Sequence, residues 1–267
     1  MIEIYYNENS VCSERVLMTL AEKGVGEWTG RHLDLFEGEQ ADPEYVALNP
    51  KAQVPTLVHD GQVVRESSII CDYLDDLYPE NPLKPVGNLD RAHMREWIKE
   101  SDEAGFQGVG ALSFTAVFRE KLANKTDAQR HKLWAEQTDL SRTYRQKSCF
   151  NEGLQSPYAI IAIAAWDRIF GKLDAALSDG RSWIMGDQFT LADLNFAPLV
   201  ARLEAIGFLQ LWLDGRTPSL RWWQRIKARA SFAAAHVGVG STEEREEFAR
   251  EGRKIVTQAS QILAELS

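Results

Sequence analysis

Three small side chains able to stabilise or attack through oxygen or sulfur stand close together. They are Ser10, Cys12 and Ser13, in Asn9-Ser10-Val11-Cys12-Ser13-Glu14-Arg15-Val16. The stretch lies between Ile2 to Tyr6, which reads as a strand, and Val16 to Glu22, which reads as a helix ended near Gly24. A helix N-terminus offers unpaired N–H groups and the positive end of the dipole, and both favour an anion, including a thiolate. A thiol held there ionises below its usual pKa of about 8.5. A hydroxyl that donates to the sulfur stabilises the thiolate further. The competing reading is structural: Ser10 or Ser13 caps the helix and Cys12 is a small buried residue.

Two further stretches carry binding chemistry. Asn49-Pro50-Lys51-Ala52-Gln53-Val54-Pro55-Thr56-Leu57 runs from a loop into a strand. Proline at a strand start donates no ladder bond and suits an edge or a special turn. A cis Val54–Pro55 bond, a form taken by only about 5–6% of such bonds, would turn the Val54 N–H and C=O outward together to pair with an extended peptide. In Val64-Arg65-Glu66-Ser67-Ser68-Ile69-Ile70 a strand ends and Ser67 or Ser68 reads as the cap of the next helix. Glu66 can take an ammonium group, while the serine and helix N–H groups take a carboxylate, which together would hold an amino acid. A plain serine cap beside a solvated glutamate is the alternative.

The elements that must position these groups follow from periodicity. Thr29 to Leu35 alternates as a second strand, and Pro55–Val58 and Val63–Arg65 flank Asp60-Gly61, a strong hairpin signal. From Ser67, Ile70, Tyr73, Leu74 and Leu77 recur at helical spacing, completing a small α/β unit. Residues 79–88 hold Pro79, Pro82 and Pro85, which cannot continue a helix, and mark the boundary between domains at 1–80 and 89–267. Beyond it, helical runs are expected at Arg91–Glu103, Ser156–Leu177, Thr190–Glu204, Leu220–Arg229 and Thr242–Leu266. Residues 105–155 mix Gly105, Gly108 and Gly110 with aromatics and a charged stretch, and read as helix, loop and helix.

Two domains also suit 267 residues, at roughly 150 residues per domain. A net charge of −9 argues against nucleic acid or an anionic membrane as partner. Cys12, Cys71 and Cys149 are an odd, widely spaced set. They make a poor disulfide framework and point to a reducing compartment. Met1-Ile2-Glu3-Ile4 lacks the pattern of a signal peptide, and no apolar run is long enough to span a membrane, so a cytoplasmic location is expected.

Taken together, the order Ser10-Val11-Cys12-Ser13, Asn49 to Leu57, Glu66-Ser67, Tyr73-Leu74 and Tyr78-Pro79 resembles the glutathione transferase family. Gly186-Asp187-Gln188-Phe189-Thr190-Leu191-Ala192-Asp193 is similar to that family's C-terminal capping motif, with Thr190 and Asp193 at capping-box spacing. The resemblance implies a thioredoxin-like α/β N-terminal domain and an all-α C-terminal domain. It also implies glutathione as co-substrate, no metal, a small hydrophobic electrophile and a homodimer. Glutathione's cysteine would pair with Val54 beside Pro55, its γ-glutamyl end with Glu66 and Ser67, and its glycine carboxylate would lie near Gln40, Lys51 or Gln53. Ser10 is the first choice to stabilise the thiolate, and Ser13 the fallback. Phe106, Phe114, Phe118 and Trp134 are candidates to line the electrophile pocket, against the commoner role of aromatics as core.

Within the family, Ser-x-Cys-Ser resembles zeta-class isomerases and tetrachlorohydroquinone-type dehalogenases. Bacterial β-aryl etherases are a third relative by resemblance, through the Gln-Val-Pro loop, the Glu-Ser pair and a long helical insertion. The implied activity is attack of the glutathione thiolate on an electrophile, by conjugation or β-aryl ether cleavage. The alternatives are a reductive dehalogenase or isomerase using Cys12, and a non-catalytic ligand-binding protein.

Overall fold

The computed structural model describes residues 1–35, 37–135, 137–238 and 241–266. Four strands form one sheet in the order β2-β1-β3-β4, with β1 at Ile2–Tyr6, β2 at Thr29–His32, β3 at Thr56–His59 and β4 at Gln62–Arg65. β1 runs parallel to β2 and antiparallel to β3. The β3–β4 hairpin turns at Asp60 and Gly61, with φ of 49° and 80°. Two successive residues in the left-handed region are what the Asp-Gly pair supplies. Ile2, Ile4 and Leu57 fill the core beneath the sheet. β2 stops at His32, three residues before the alternating pattern ends. As an edge strand it pairs with β1 alone, and beyond it Leu33 N–H reaches Tyr6 O.

The helices of the first part are α1 (Val11–Glu22), α2 (Pro43–Leu48) and α3 (Ser67–Leu77). The first begins at Val11 and not at Val16, because Ser10 caps it and the intervening polar residues are themselves helical. Next come α4 (Asn88–Glu100), α5 (Phe106–Ser113), α6 (Arg119–Ala123), α7 (Asp127–Ala135) and α8 (Leu140–Glu152). α9 (Pro157–Ala176), α10 (Leu191–Ala205) and α11 (Gln210–Leu213) follow. The last four are α12 (Thr217–Lys227), α13 (Ala230–Ala234), α14 (Thr242–Arg253) and α15 (Val256–Leu266). No helix among the described residues is long and apolar enough to cross a membrane.

The region read as helix, loop and helix is almost wholly helical. α4, α5 and α6 are joined without a break by two wider π turns, Ser101–Gly105 and Phe114–Phe118. The expected helix at 242–266 is two, separated at Lys254 and Ile255.

The chain forms two compact units. The first comprises Met1–Ile98, Arg181–Pro198 and Trp222–Gly240; the second comprises Lys99–Gly180, Leu199–Arg221 and Ser241–Ser267. In the first, α1 packs against both α3 and α13, so nearly all its faces are covered, including polar ones. Several of its polar side chains are partnered: Thr19 Oγ1 donates to Arg15 O, Gly238 N–H donates to Glu14 Oε1, and Arg229 grips Glu22 through two bonds of 2.6 and 2.7 Å. In the second, α5 lies along α9 and Gly108 meets Trp166, where an added Cβ would stand 3.0 Å from the indole nitrogen. Trp166, Phe170 and Trp212 stack beside it as an aromatic core.

Candidate active site

The β1–α1 turn presents Ser10 as the N-cap of α1, in extended backbone at φ −97°, ψ 112°. Its Oγ accepts the Ser13 N–H at 3.3 Å. A hydroxyl that accepts one bond keeps its own proton to donate. Ser10 and Cys12 are half-buried, whereas Ser13 is fully buried with its Oγ taken by the Asn7 N–H at 3.3 Å. The three groups thus separate: two are accessible at the helix N-terminus and one belongs to the interior. The structural reading holds for Ser10 in that it does cap, while Cys12 is less buried than that reading expected.

Asn7 organises this turn and went unnoticed in the sequence. Its C=O accepts from Ser10 N–H at 3.0 Å, its Oδ1 from Asn9 N–H at 2.9 Å, and its Nδ2 donates to Leu33 O at 2.9 Å. An asparagine directly after a strand, bonding its own backbone two residues on, is an Asx turn. That was the signal available. His32 Nε2 also meets Glu8 Oε2 at 2.5 Å, tying the turn to the end of β2.

The second stretch is shaped by a buried network. Tyr45 hydroxyl donates to Gln53 O at 2.5 Å and meets Thr56 Oγ1 at 2.8 Å. Asn49 Nδ2 reaches the same two oxygens at 2.8 and 3.0 Å. Burial pushes the Tyr45 hydroxyl above its ordinary pKa, so it stays protonated as a donor. The Val54–Pro55 bond is cis. Val54 precedes β3, and among the described residues its N–H and C=O take no backbone partner in a turn or loop. Gln40 sits in the short turn Glu39–Ala41, and its buried Oε1 has no donor among the described residues. A buried acceptor of that kind is unusual and suits a donor from outside the chain.

At the third stretch the cap of α3 is Glu66, at φ 68°, ψ 119°, and not Ser67 or Ser68. Positive φ is uncommon for a residue with a side chain, and such conformations cluster at ligand clamps. Ser67 is the first helical residue, and its Oγ accepts from Arg15 Nη1 at 3.2 Å. Glu66 Oε1 meets Lys51 Nζ at 2.6 Å, with the side chains 51% and 64% exposed. An exposed pair contributes about 1 kcal/mol at most, so it is cheaply parted by a ligand.

All ten candidate residues for catalysis and glutathione binding lie in the first unit. Ser10 with Ser13 and Lys51 with Glu66 are in direct contact. The four candidate aromatics lie in the second unit. Phe114 is buried in its core, Phe118 packs edge-on against Phe248, and Trp134 packs edge-on against Phe150 with Lys147 over its ring. Phe106 is half-buried and directly follows the first π turn.

The family model for the glutathione S-transferase N-terminal domain matches residues 9–77, and that for the C-terminal domain matches residues 122–225. The chain belongs to the glutathione S-transferase family. It is thus a glutathione-dependent enzyme, with a small mixed sheet and a helical C-terminal region as its fold. Among curated proteins it is similar to Protein LigF of a Sphingobium strain, 45% identical over 227 residues, covering 81% of this chain and 86% of that one. It is also similar to the tetrachloro-p-hydroquinone reductive dehalogenase of Sphingobium chlorophenolicum, 29% identical over 247 residues, covering 88% and 96%. Among solved structures it resembles the β-etherase LigF from Sphingobium sp. strain SYK-6. The TM-score is 0.79, with 25% identity in the structural superposition, covering 88% of this chain and 98% of that one.

Proposed function

We propose that this glutathione transferase uses Ser10 to hold the glutathione sulfur as a thiolate and cleaves β-aryl ethers of aromatic substrates. The observation that carries the reading is the half-buried Ser10 hydroxyl at the start of α1, its proton unspent on the Ser13 N–H it accepts. The helix N-terminus lowers the thiol pKa and the hydroxyl donates to the sulfur. Val54 pairs with the cysteine backbone, Glu66 takes the ammonium and Ser67 the carboxylate of the γ-glutamyl end. Lys51, Gln40 and Gln53 serve the glycine carboxylate. In the reaction the C–S bond forms as the ether C–O bond breaks, and the aryloxide leaves and is protonated to a phenol. The likeness to LigF favours an ether over other electrophiles. Phe106, Phe118 and Trp134 are half-buried and are the candidates to contact the aromatic rings of the substrate. Incubation with glutathione and a β-aryl ether dimer should release one phenol per glutathione thioether formed. Conjugation of a chloro-nitroaromatic with no phenol release from the ether would sink the etherase reading and leave simple transfer.

A second reading has its own support. Cys12 is half-buried in the first turn of α1, while Cys71 and Cys149 are fully buried, and the dehalogenase relative spans most of the chain. The Cys12 thiolate would attack the sulfur of a glutathionyl conjugate, forming a mixed disulfide as the substrate carbon leaves with the bonding pair and takes a proton. A second glutathione then displaces Cys12 and departs as oxidised glutathione. Mass spectrometry of protein quenched during turnover of a halogenated hydroquinone should then show one glutathione on Cys12. Its absence, with Cys12→Ser giving unchanged product, leaves Cys12 as packing.

The assembly we propose is a twofold homodimer with α3 near the axis. Ile69 on α3 is 57% exposed, an apolar side chain that a partner would cover. Sedimentation at micromolar concentration should give twice the chain mass; a monomer rejects the assignment. A cytoplasmic location fits three cysteines, none in a disulfide.

A further inference from the structure

Arg15 lies in the second turn of α1 and is almost completely buried, yet it serves two distant elements of the first unit. Its Nε donates to Asn195 O of α10 at 3.0 Å and its Nη1 donates to Ser67 Oγ at the start of α3 at 3.2 Å. A guanidinium has donors only. Ser67 must therefore meet it with a lone pair, and its own proton must go elsewhere. Ser67 is buried, and among the described residues no acceptor takes that proton. The hydroxyl is thus aligned as a donor at the N-terminus of an eleven-residue helix, where the backbone N–H groups and the dipole also favour negative charge.

We infer that Arg15 is a positioning residue, which sets the Ser67 hydroxyl as a hydrogen-bond donor to the α-carboxylate of the γ-glutamyl group. This rests on the proposed assignment of Ser67 to that carboxylate. Arg15 touches no substrate. It acts by fixing the direction of one proton and by placing positive charge behind the oxygen that bears it. The planar fork is needed because both acceptors are served at once from fixed directions. A lysine, with a single ammonium centre, cannot reproduce that geometry.

The test compares glutathione with its analogue lacking only the γ-glutamyl α-carboxylate, by calorimetric Kd and by steady-state kinetics, on Arg15→Lys, Ser67→Ala and the double variant. Arg15→Lys should weaken glutathione by about tenfold or more, change the analogue's Kd by less than about twofold, and raise KM for glutathione with kcat unchanged. In the Ser67→Ala background it should add nothing, because its route to the carboxylate is gone. Equal weakening of both ligands by Arg15→Lys, with Ser67→Ala selective for glutathione, would make Arg15 a framework residue and overturn the inference alone. If Ser67→Ala weakens both ligands equally or neither, the assignment of Ser67 fails, and the inference with it. Should Arg15→Lys not fold, a crystal structure of the wild-type glutathione complex decides. Arg15, Ser67 Oγ and the carboxylate should form one hydrogen-bonded chain, and a Ser67 hydroxyl that does not reach the carboxylate refutes it.

Discussion

Ser10→Ala should lower turnover by about 10²-fold or more, the loss seen when a donor to developing or stabilised negative charge is removed. Glutathione affinity should change little, since the contacts proposed for the peptide lie elsewhere, at the Val54 backbone, Glu66 and Ser67. The pKa of the bound thiol should rise, and ultraviolet titration of the enzyme-bound thiolate reads this directly. Ser10 also caps α1, so alanine removes a cap worth about 0.5–2 kcal/mol as well as the donor. Ser10→Gly separates the two effects, because glycine costs only a few tenths of a kcal/mol at a cap. It should lose turnover as alanine does while keeping stability. Ser13→Ala gives the opposite pattern. It strips the Asn7 N–H of its buried partner and should cost about 1–2 kcal/mol of stability with modest loss of rate. Full activity in Ser10→Ala together with an inactive, folded Ser13→Ala would reverse the assignment.

Asp193→Ala should destabilise the protein by about 3–5 kcal/mol, the scale for breaking a fully buried, multiply bonded carboxylate. Its Oδ1 accepts from Ile184 N–H and Trp222 Nε1–H, both at 2.9 Å, and its Oδ2 from Thr190 N–H at 3.0 Å and Thr190 hydroxyl at 3.2 Å. Thr190 in turn accepts the Ala192 N–H, so the expected cap of α10 forms and also ties down Trp222 of α12. Alanine leaves three buried N–H donors without acceptors. Asp193→Asn keeps the oxygen that serves Ile184 and Trp222 but turns an amide N–H₂ toward the Thr190 N–H, and should fall between. Urea unfolding followed by tryptophan fluorescence measures both; a loss below about 1 kcal/mol for alanine would refute the account.

The same residue sets a pH dependence. Burial pushes the Asp193 carboxyl above the ordinary carboxylate range, opposed by its four hydrogen bonds. A folded-state pKa above the unfolded one means that the fold favours the protonated form. That contribution is complete below the unfolded pKa and is lost as pH rises through the folded value. The stability of the wild type relative to Asp193→Asn should therefore shrink as pH rises above the ordinary carboxylate pKa of about 4. Growth of that difference with pH would show that the hydrogen bonds outweigh burial.

Local signals carried much of the architecture. The β3–β4 hairpin was legible because Asp60-Gly61 specifies its turn chemically. The interruption between α3 and α4 was legible because proline forbids a helix, and α3 because its apolar positions repeat at helical spacing. The same signals placed Ser10 at a helix start, Val54-Pro55 ahead of a strand and Glu66-Ser67 at a second helix start, since caps and strand entries depend on neighbours in sequence. Residues 105–155 were opaque because scattered glycines lower helix propensity, and only packing such as Gly108 against Trp166 repays their use within helices. Which of Ser10 and Ser13 faces outward was decided by Asn7, which draws the Ser13 hydroxyl inward. That Glu66 rather than a serine stands at the cap of α3, with Ser67 inside the helix and bonded to Arg15, was decided by the tertiary structure. Residues 181–198 and 222–240 join the first unit although they lie far along the chain, bound there by contacts such as Arg15 with Asn195 and Glu22 with Arg229. Periodicity and turn chemistry act over a few residues and are written in order along the chain. The burial and pairing of a polar group depend on which distant element comes to cover it, and only the tertiary structure supplies that.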